Sequence, residues 1–516
     1  MRLVISNGQT PSATNGNDLL IGNQIGTFPA IGIEIQRGGT LLTLAGNDTV
    51  QGTATGGDGV GSDGGDGLGI SNGGTLDTGT GNDTITAYGT GGNSDTAFGG
   101  DGGGIVNSGT LDTGTGNDTI TAYGTGGNST DYVGGIGIGI YNFFGTLKTG
   151  DGNDKITTTG TGGNGTKDGG DGGGIVNSGT LDTGTGNDTI TTTGIGGNGT
   201  EDGGDGYGIL NAPQTPYPRA TFKTGDGNDT ITATGIGGNG DSGGIGIGIF
   251  TKDTLDTGTG NDTITAIGIG GTGNNNGEEG KGIKIESSSP LLQTPSTLNT
   301  GDGNDTITAI GIGGNGDGGT GYGIGIYKNS AIDTGDGNNT IIGNATAVNT
   351  NAAAYGLYGE DLSAGVTIQM GDGNDLLTGN ATATGINAVA YGIYTSGSGT
   401  IEIQMGGGND SLTASATVNG ILQKVNMGGG QTIDMGDGND YVSGFGLATI
   451  KGGSGNDTLD LSYGFNRADL VVSGVNPTDP YEPANFTYGG ITINTNEFET
   501  FIFADATFSY STLTNG

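Results

Sequence analysis

Leu76–Ser94 reads LDTGTGNDTITAYGTGGNS, and Leu111–Ser129 repeats it letter for letter. The stretch is rich in Gly and Thr and poor in side chains that could fill a core. The last residue of its GND triplet marks the rest of the chain. GND or GNN ends at Asp18, Asp48, Asp83, Asp118, Asp154, Asp188, Asp229, Asp262, Asp305, Asn339, Asp375, Asp410, Asp440 and Asp457. Successive spacings are 30, 35, 35, 36, 34, 41, 33, 43, 34, 36, 35, 30 and 17 residues. A period of this length marks stacked units, each burying against its neighbours what it cannot bury alone.

Three short β-like pieces recur in each unit, bounded by Gly. The first resembles TLDTG and supplies Leu76, Leu111, Leu147, Leu181 and Phe222, continuing to Ile433. The second resembles DTITA and supplies Ile85, Ile120, Ile156, Ile190 and Ile231, continuing to Val442. The third resembles GIGI and supplies Ile70, Ile105, Ile140, Ile175, Ile209, Ile249, Ile285, Ile326, Leu357 and Ile393. Alternation turns the Ile of Thr-Ile-Thr to one face and both Thr to the other. Stacked, the columns become three aliphatic ladders inside an all-β parallel β-solenoid with three short strands per coil. At about 4.8 Å per coil, the rod is on the order of 60 Å long.

Composition sets the boundaries. With 124 Gly and 10 Pro in 516 residues, the chain would read as disordered were it not periodic. Its net charge of −39 repels nucleic acid and anionic membranes and suits cations. His, Cys and Trp are absent, which removes disulfides, zinc sites and most nucleophile–base catalysis. No apolar run is long enough for a membrane span, and MRLVISNGQTPSATNG has no apolar segment of the signal-peptide kind. Residues 1–460 read as the repeat domain, with 1–30 as N-terminal cap or first coil. From Leu461 the pattern stops and ordinary strand text follows, so 461–516 reads as a C-terminal β cap with its own small core. Two longer units carry their extra residues between third and first strands, at Asn211–Thr221 and Glu286–Thr297.

The run Gly452-Gly453-Ser454-Gly455-Asn456-Asp457-Thr458-Leu459-Asp460 satisfies every position of G-G-x-G-x-D-x-U-x. It resembles the nonapeptide of RTX, or hemolysin-type calcium-binding, proteins. Elsewhere the first Gly is usually Thr or Met, and each coil has one nonapeptide instead of two. The resemblance implies Ca2+ held between turns of adjacent coils by Asp side chains and backbone carbonyls. Carried over position by position, the ligands are Asp18, Asp48, Asp83, Asp118, Asp154, Asp188, Asp229, Asp262, Asp305, Asp375, Asp410, Asp440 and Asp457. It further implies an extracellular or cell-surface location, type I export and an uncleaved C-terminal signal, which the acidic, aromatic end NEFETFIFADATFSYSTLTNG fits.

Charge supports the ion independently. Stacked Asp carboxylates about 4.8 Å apart repel by roughly 1 kcal/mol even at water's dielectric constant. Oxygen ligands without imidazole or thiolate favour calcium. Acid is also traded between strand and turn: Asp77 goes with Thr80, Asp112 with Thr115, Lys148 with Asp151 and Lys223 with Asp226. Where the pair becomes Asp333 and Asp336, the site residue is Asn339. A second acidic turn, GGDG, at Asp66, Asp101, Asp171 and Asp205, is irregularly spaced and reads as a solvated turn.

Three functions compete: a calcium-stiffened scaffold or adhesin, a recognition surface, and a β-helical polysaccharide-active enzyme. The recognition surface would use an outward stripe of Ser71, Val106, Tyr141, Val176, Leu210, Phe250, Glu286, Tyr327, Tyr358 and Tyr394 to meet extracellular polysaccharide, a partner or another copy of the rod. GTGND also resembles the turn of an ice-binding RTX adhesin, but Asp151, Asp226 and Asp302 interrupt the rank of Thr80, Thr115, Thr185 and Thr259. With no His and only scattered Lys and Arg, no catalytic constellation is visible, and a non-enzyme is expected.

Overall fold

Each repeat lays down three strands, for example Gly67–Asn72, Thr75–Asp77 and Thr84–Thr90, followed by Gly102–Asn107, Thr110–Asp112 and Thr119–Thr125. Pairing between coils is parallel and like on like: Ile70 on Ile105, Leu76 on Leu111, Ile85 on Ile120. The computed structural model describes residues 1–11, 13–214, 219–287, 295–360, 365–397, 399–477 and 482–516, and in these the chain is a parallel β-solenoid. The only helical turns among them are two of three residues, Arg467–Asp469 and Tyr510–Thr512. Among the described residues no helix is long and apolar enough to cross a membrane.

The three ladders form one continuous core. Leu76, Leu111 and Leu147, Ile85, Ile120 and Ile156, and Ile70, Ile105 and Ile140 are all buried in it. Burying one such side chain contributes roughly 1.5–3 kcal/mol before conformational entropy is counted. The third ladder needs a correction in two coils. Ile249 pairs with Ile283, Ile283 with Ile324, and Ile324 with Leu357. Ile285 and Ile326 therefore lie one inward position later. The GxG that opens each third strand sets the register, through Gly246, Gly280 and Gly321. The outward stripe shifts with it, so Lys284 and Gly325 take the places assigned to Glu286 and Tyr327. The later inward position is polar over much of the rod. There Asn72, Asn107, Asn142 and Asn177 are buried, and each amide donates to the next Asn Oδ1 at 2.8–2.9 Å.

The glycines outside the turns build a second core without side chains. After its second strand the chain folds into a lobe whose backbones pack directly on one another. Gly65 donates to Gly57, Gly92 to Gly65, Gly100 to Gly92 and Gly127 to Gly100, and the N–H to O=C series runs on to Gly271 at 2.7–2.9 Å. A methyl on Gly91 would lie 1.8 Å from the Gly100 oxygen. In later coils the second strands lengthen, as Thr340–Val348 and Leu376–Thr384, and an alanine cluster including Ala345, Ala347, Ala381 and Ala383 replaces the Gly lobe.

At the start, Leu3–Ile5 pairs with Ala30–Ile35, and Leu19–Thr27 with Thr49–Gly56. At the end, Ile491–Asn496 and Thr500–Ile502 stack in parallel on Gly446–Lys451 and Thr458–Asp460. Antiparallel strands Val471–Ser473, Ala484–Tyr488 and Thr507–Ser509 then cover the open edge. Phe486, Phe498, Phe501 and Phe503 belong to the same cluster as the aliphatic ladders, so the core of the tail continues that of the rod. Of the two long insertions, 215–218 and 288–294 lie outside the described residues.

The lobe makes a direct expectation. Gly91→Ala should destabilise the rod by roughly 1–3 kcal/mol in chemical denaturation, because the methyl meets backbone that cannot yield. Gly16→Ala, whose methyl would have only Thr14 Oγ1 at 3.8 Å, should stay within about 0.5 kcal/mol of the parent. Equal effects would contradict a backbone-packed lobe.

Candidate metal centre

The corner T-G-x-G-N-D joins the first strand to the second. Gly79 and Gly81 adopt φ of 89° and 130°, and their equivalents Gly114 and Gly116 adopt 94° and 136°. These angles suit Gly, and the stacking also forbids a side chain: a methyl on Gly79 would lie 1.7 Å from the Leu44 carbonyl oxygen. The tight turn leaves the Asn outside and the Asp inside.

The inward Asp residues form one rank. The backbone N–H of Asp48 donates to Asp83 Oδ1, that of Asp83 to Asp118 Oδ1, and that of Asp118 to Asp154 Oδ1, each at 2.7 Å. The pattern continues through Asp188, Asp229, Asp262, Asp305, Asp375, Asp410, Asp440 and Asp457 at 2.7–2.9 Å. From Asp48 to Asp457 none of these side chains is more than 2% exposed. Oδ1 is thus satisfied throughout, whereas Oδ2 is buried without a hydrogen-bond partner in all twelve. Asp18 differs, since its Oδ2 accepts the Thr14 N–H at 2.8 Å.

Asn339 reveals what surrounds the unpartnered oxygens. Its Oδ1 accepts the Asp305 N–H like any member of the rank. Its Nδ2 donates to the carbonyls of Gly335 at 3.1 Å and Met370 at 3.0 Å. By the repeat, the Asp Oδ2 lies toward the equivalent carbonyls, one of which already accepts the buried Thr hydroxyl of the preceding coil, Thr78 donating to the Thr113 oxygen at 3.0 Å and Thr113 to the Thr149 oxygen at 3.1 Å. A buried carboxylate oxygen left without a donor favours a proton or a cation at this place. Burial pushes the carboxyls of Asp118, Asp305, Asp410, Asp440 and Asp457 up to about 6, and those of Asp188, Asp262 and Asp375 up to about 7. Among the described residues no three acidic side chains converge on one point, so backbone oxygens have to complete any cation site.

The strand and turn acids of this corner are better compensated. Asp112, Lys148, Asp182, Lys223 and Asp256 stack in that order, so cations alternate with acids. Thr115, Asp151, Thr185, Asp226 and Thr259 also stack, and the Thr185 and Thr259 hydroxyls donate to Asp151 and Asp226 at 3.0 Å. At the start of the strand rank Asp77 stacks on Asp112 and also lies near enough to Asp83 to help raise its carboxyl.

The other sequence candidates lie elsewhere. Asp66, Asp101, Asp171 and Asp205 do stack, with Ile136 and Ile245 in the missing places, and each Oδ1 accepts a main-chain N–H at 2.8–3.0 Å. Beside them Leu68, Val106, Ile138, Tyr141 and Leu210 line an apolar groove of about 390 Å³. The aromatic stripe is doubled by a column that alternation alone does not single out, Tyr322, Tyr355 and Tyr391, although the recurring Tyr-Gly pair marks it. Tyr355 and Tyr391 stack 6.3 Å apart at 5°, and Tyr358 and Tyr394 stack 6.1 Å apart at 10°. The rings therefore spend their faces on each other. Lys281 and Lys284, two of the cations that look scattered in the sequence, lie over Tyr322 and Phe250 and pair with Glu279 and Glu286 at 2.6 and 2.9 Å.

Among solved structures the chain is similar to that described as a hyperactive, Ca2+-dependent, beta-helical antifreeze protein from an Antarctic bacterium. The TM-score is 0.38 and the identity 16%, over 99% of this chain and 94% of that one. No family model and no curated protein matches the chain.

The raised carboxyls predict how the metal-free rod responds to pH. Folded, these groups hold protons up to about pH 6–7, whereas unfolded they titrate near 4. Their protons therefore favour the fold at low pH, and that contribution is lost as pH rises through 6 to 7. In excess chelator the melting temperature should fall between pH 5 and pH 8. A rise over that window would contradict the buried, unpaired state of the rank.

Proposed function

We propose that the chain is a calcium-binding structural rod of a cell surface or extracellular matrix, whose coils lock together as a row of ions fills beneath the GxGND corners. The single observation that carries this reading is the row of twelve buried, unpartnered Asp Oδ2 atoms, answered at Asn339 by an amide that bonds the same carbonyls itself. Asp48, Asp83, Asp118, Asp154, Asp188, Asp229, Asp262, Asp305, Asp375, Asp410, Asp440 and Asp457 each supply one carboxylate. The backbone oxygens equivalent to those of Gly335 and Met370 supply neutral ligands, an all-oxygen set that suits calcium. Asp18, already held by Thr14, and Asn339 stand outside the row.

An outside location follows from the same chemistry together with the RTX resemblance. Calcium fills weak sites at extracellular concentrations and leaves them empty in cytosol, so folding is coupled to export. The role is mechanical or adhesive, and catalysis is not part of the proposal. Ice binding is a second reading, supported by an exposed Asn rank in which Asn82 N–H donates to Asn47 Oδ1 and Asn117 N–H to Asn82 Oδ1 at 2.8–2.9 Å. The neighbouring rank alternates Thr with charged Asp, which favours the rod.

Calcium titration with thermal melting tests the proposal. The parent should gain stability steeply with calcium and lose it in chelator. Asp188→Asn should bind one ion fewer while melting higher than the parent in chelator, because its amide can bond as Asn339 does. A parent with the same melting temperature in calcium and in chelator would sink the reading.

A further inference from the structure

Past the last GND triplet, the chain returns once more to the same corner. Thr458 pairs with Thr500 and Leu459 with Phe501, so Glu499 stands where each earlier coil has its Asp. It bonds as they do: Glu499 Oε2 accepts the Asp457 N–H at 2.7 Å, just as Asp457 Oδ1 accepts the Asp440 N–H at 2.9 Å. Glu499-Thr500-Phe501 aligns with Asp457-Thr458-Leu459, a match hidden by the missing Gly-Asn pair and the longer side chain.

Asp457 is wholly buried, and its Oδ2 has no partner. A methyl on Gly452 would lie 1.9 Å from the Glu497 carbonyl oxygen and 2.8 Å from Asp457 Oδ2. Both oxygens thus lie close to one point beside the bare Gly452 backbone. Beside it lies a cleft of about 570 Å³ whose lining includes Asp434, Asp437, Lys451, Glu497 and Glu499. With buried Asp457 behind it, the cleft borders on five carboxylates and one ammonium, although no three of the carboxylates converge on one point. Lys451 is already engaged, 3.7 Å from Asp434 and 3.6 Å from Glu497.

The geometry points to a distinct end to the row at this joint: its last divalent-cation site is formed by the Asp457 carboxylate, the Glu497 carbonyl and the Glu499 carboxylate, and its ion fastens residues 491–516 to the last GND coil. The inference rests on the calcium reading of the Asp rank. It goes further, because the second carboxylate comes from outside the repeat and the ion holds down a segment instead of joining two equal coils. Docking of the C-terminal segment then becomes calcium-dependent.

The test uses the full chain with calcium as the probe. Glu499→Gln keeps an acceptor for the Asp457 N–H and removes only the charge. Bound calcium is counted at saturation, and amide hydrogen exchange is followed in calcium and in chelator. In the parent, calcium should slow exchange across 491–502 by at least about tenfold. Glu499→Gln should bind one ion fewer and lose that slowing, while Thr84–Thr90 keeps its own. Glu499→Asp, with the charge restored, should regain the ion and much of the protection. Equal ion counts in the parent and Glu499→Gln, or equal behaviour of the Gln and Asp variants, would overturn the joint site. A parent that binds no calcium would instead overturn the reading of the whole rank, so the two failures are distinguishable.

Discussion

Parallel pairing in register makes every coil repeat its neighbour's chemistry about 4.8 Å away. For Ile and Leu that repetition is favourable, since an aliphatic column excludes water along its whole length. For Asn it is also favourable, because an amide both donates and accepts and can chain to the next copy, as Asn72, Asn107 and Asn142 do. For Asp it is unfavourable, because a carboxylate only accepts. The Asp rank answers half of the difficulty by taking a backbone N–H on Oδ1, and leaves Oδ2 buried without a donor. Everything distinctive about the corner follows from this.

The same close approach explains the glycine content. Where the coil bends, side chains would strike the backbone of the preceding coil, so Gly79 and Gly81 recur as pairs. Where the Gly lobe forms, the backbone itself is the packing material, and the hydrogen-bond series from Gly57 to Gly271 takes the place of a hydrophobic core. The later coils solve the same problem with Ala, burying Ala345 and Ala381 where the earlier ones bring Gly to Gly. Thirty per cent hydrophobic residues suffice because the three ladders, the tail and the small alanine cluster take up most of the apolar burial.

Much of this is legible in the amino-acid sequence. The period and the three columns follow from alternation and spacing, the Asp positions from the RTX resemblance, and the ladders of Leu76 and Ile85 lie where alternation puts them. The third column slips at Ile285 and Ile326 because those strands hold two inward Ile, and only the pairing of Gly280 with Gly321 separates them. The Gly lobe is not legible, since backbone packing leaves no side-chain pattern. Nor is the split between Oδ1 and Oδ2, because it depends on which carbonyls the turn brings near. Glu499 escapes a search by motif because its coil is made from text without Gly-Asn. The tyrosine columns are half visible, and stacking between coils turns an expected platform into a set of ring edges.

The central claim is that the buried Asp oxygens share their space with metal ions, one beneath each corner, and that the row breaks at Asn339. Anomalous diffraction from crystals grown in calcium tests this most directly. The account predicts a line of peaks beside the Oδ2 atoms from Asp48 to Asp305, a gap at Asn339, and peaks again from Asp375 to Asp457. A corner rank without peaks, or a peak at Asn339 as strong as its neighbours, would contradict it.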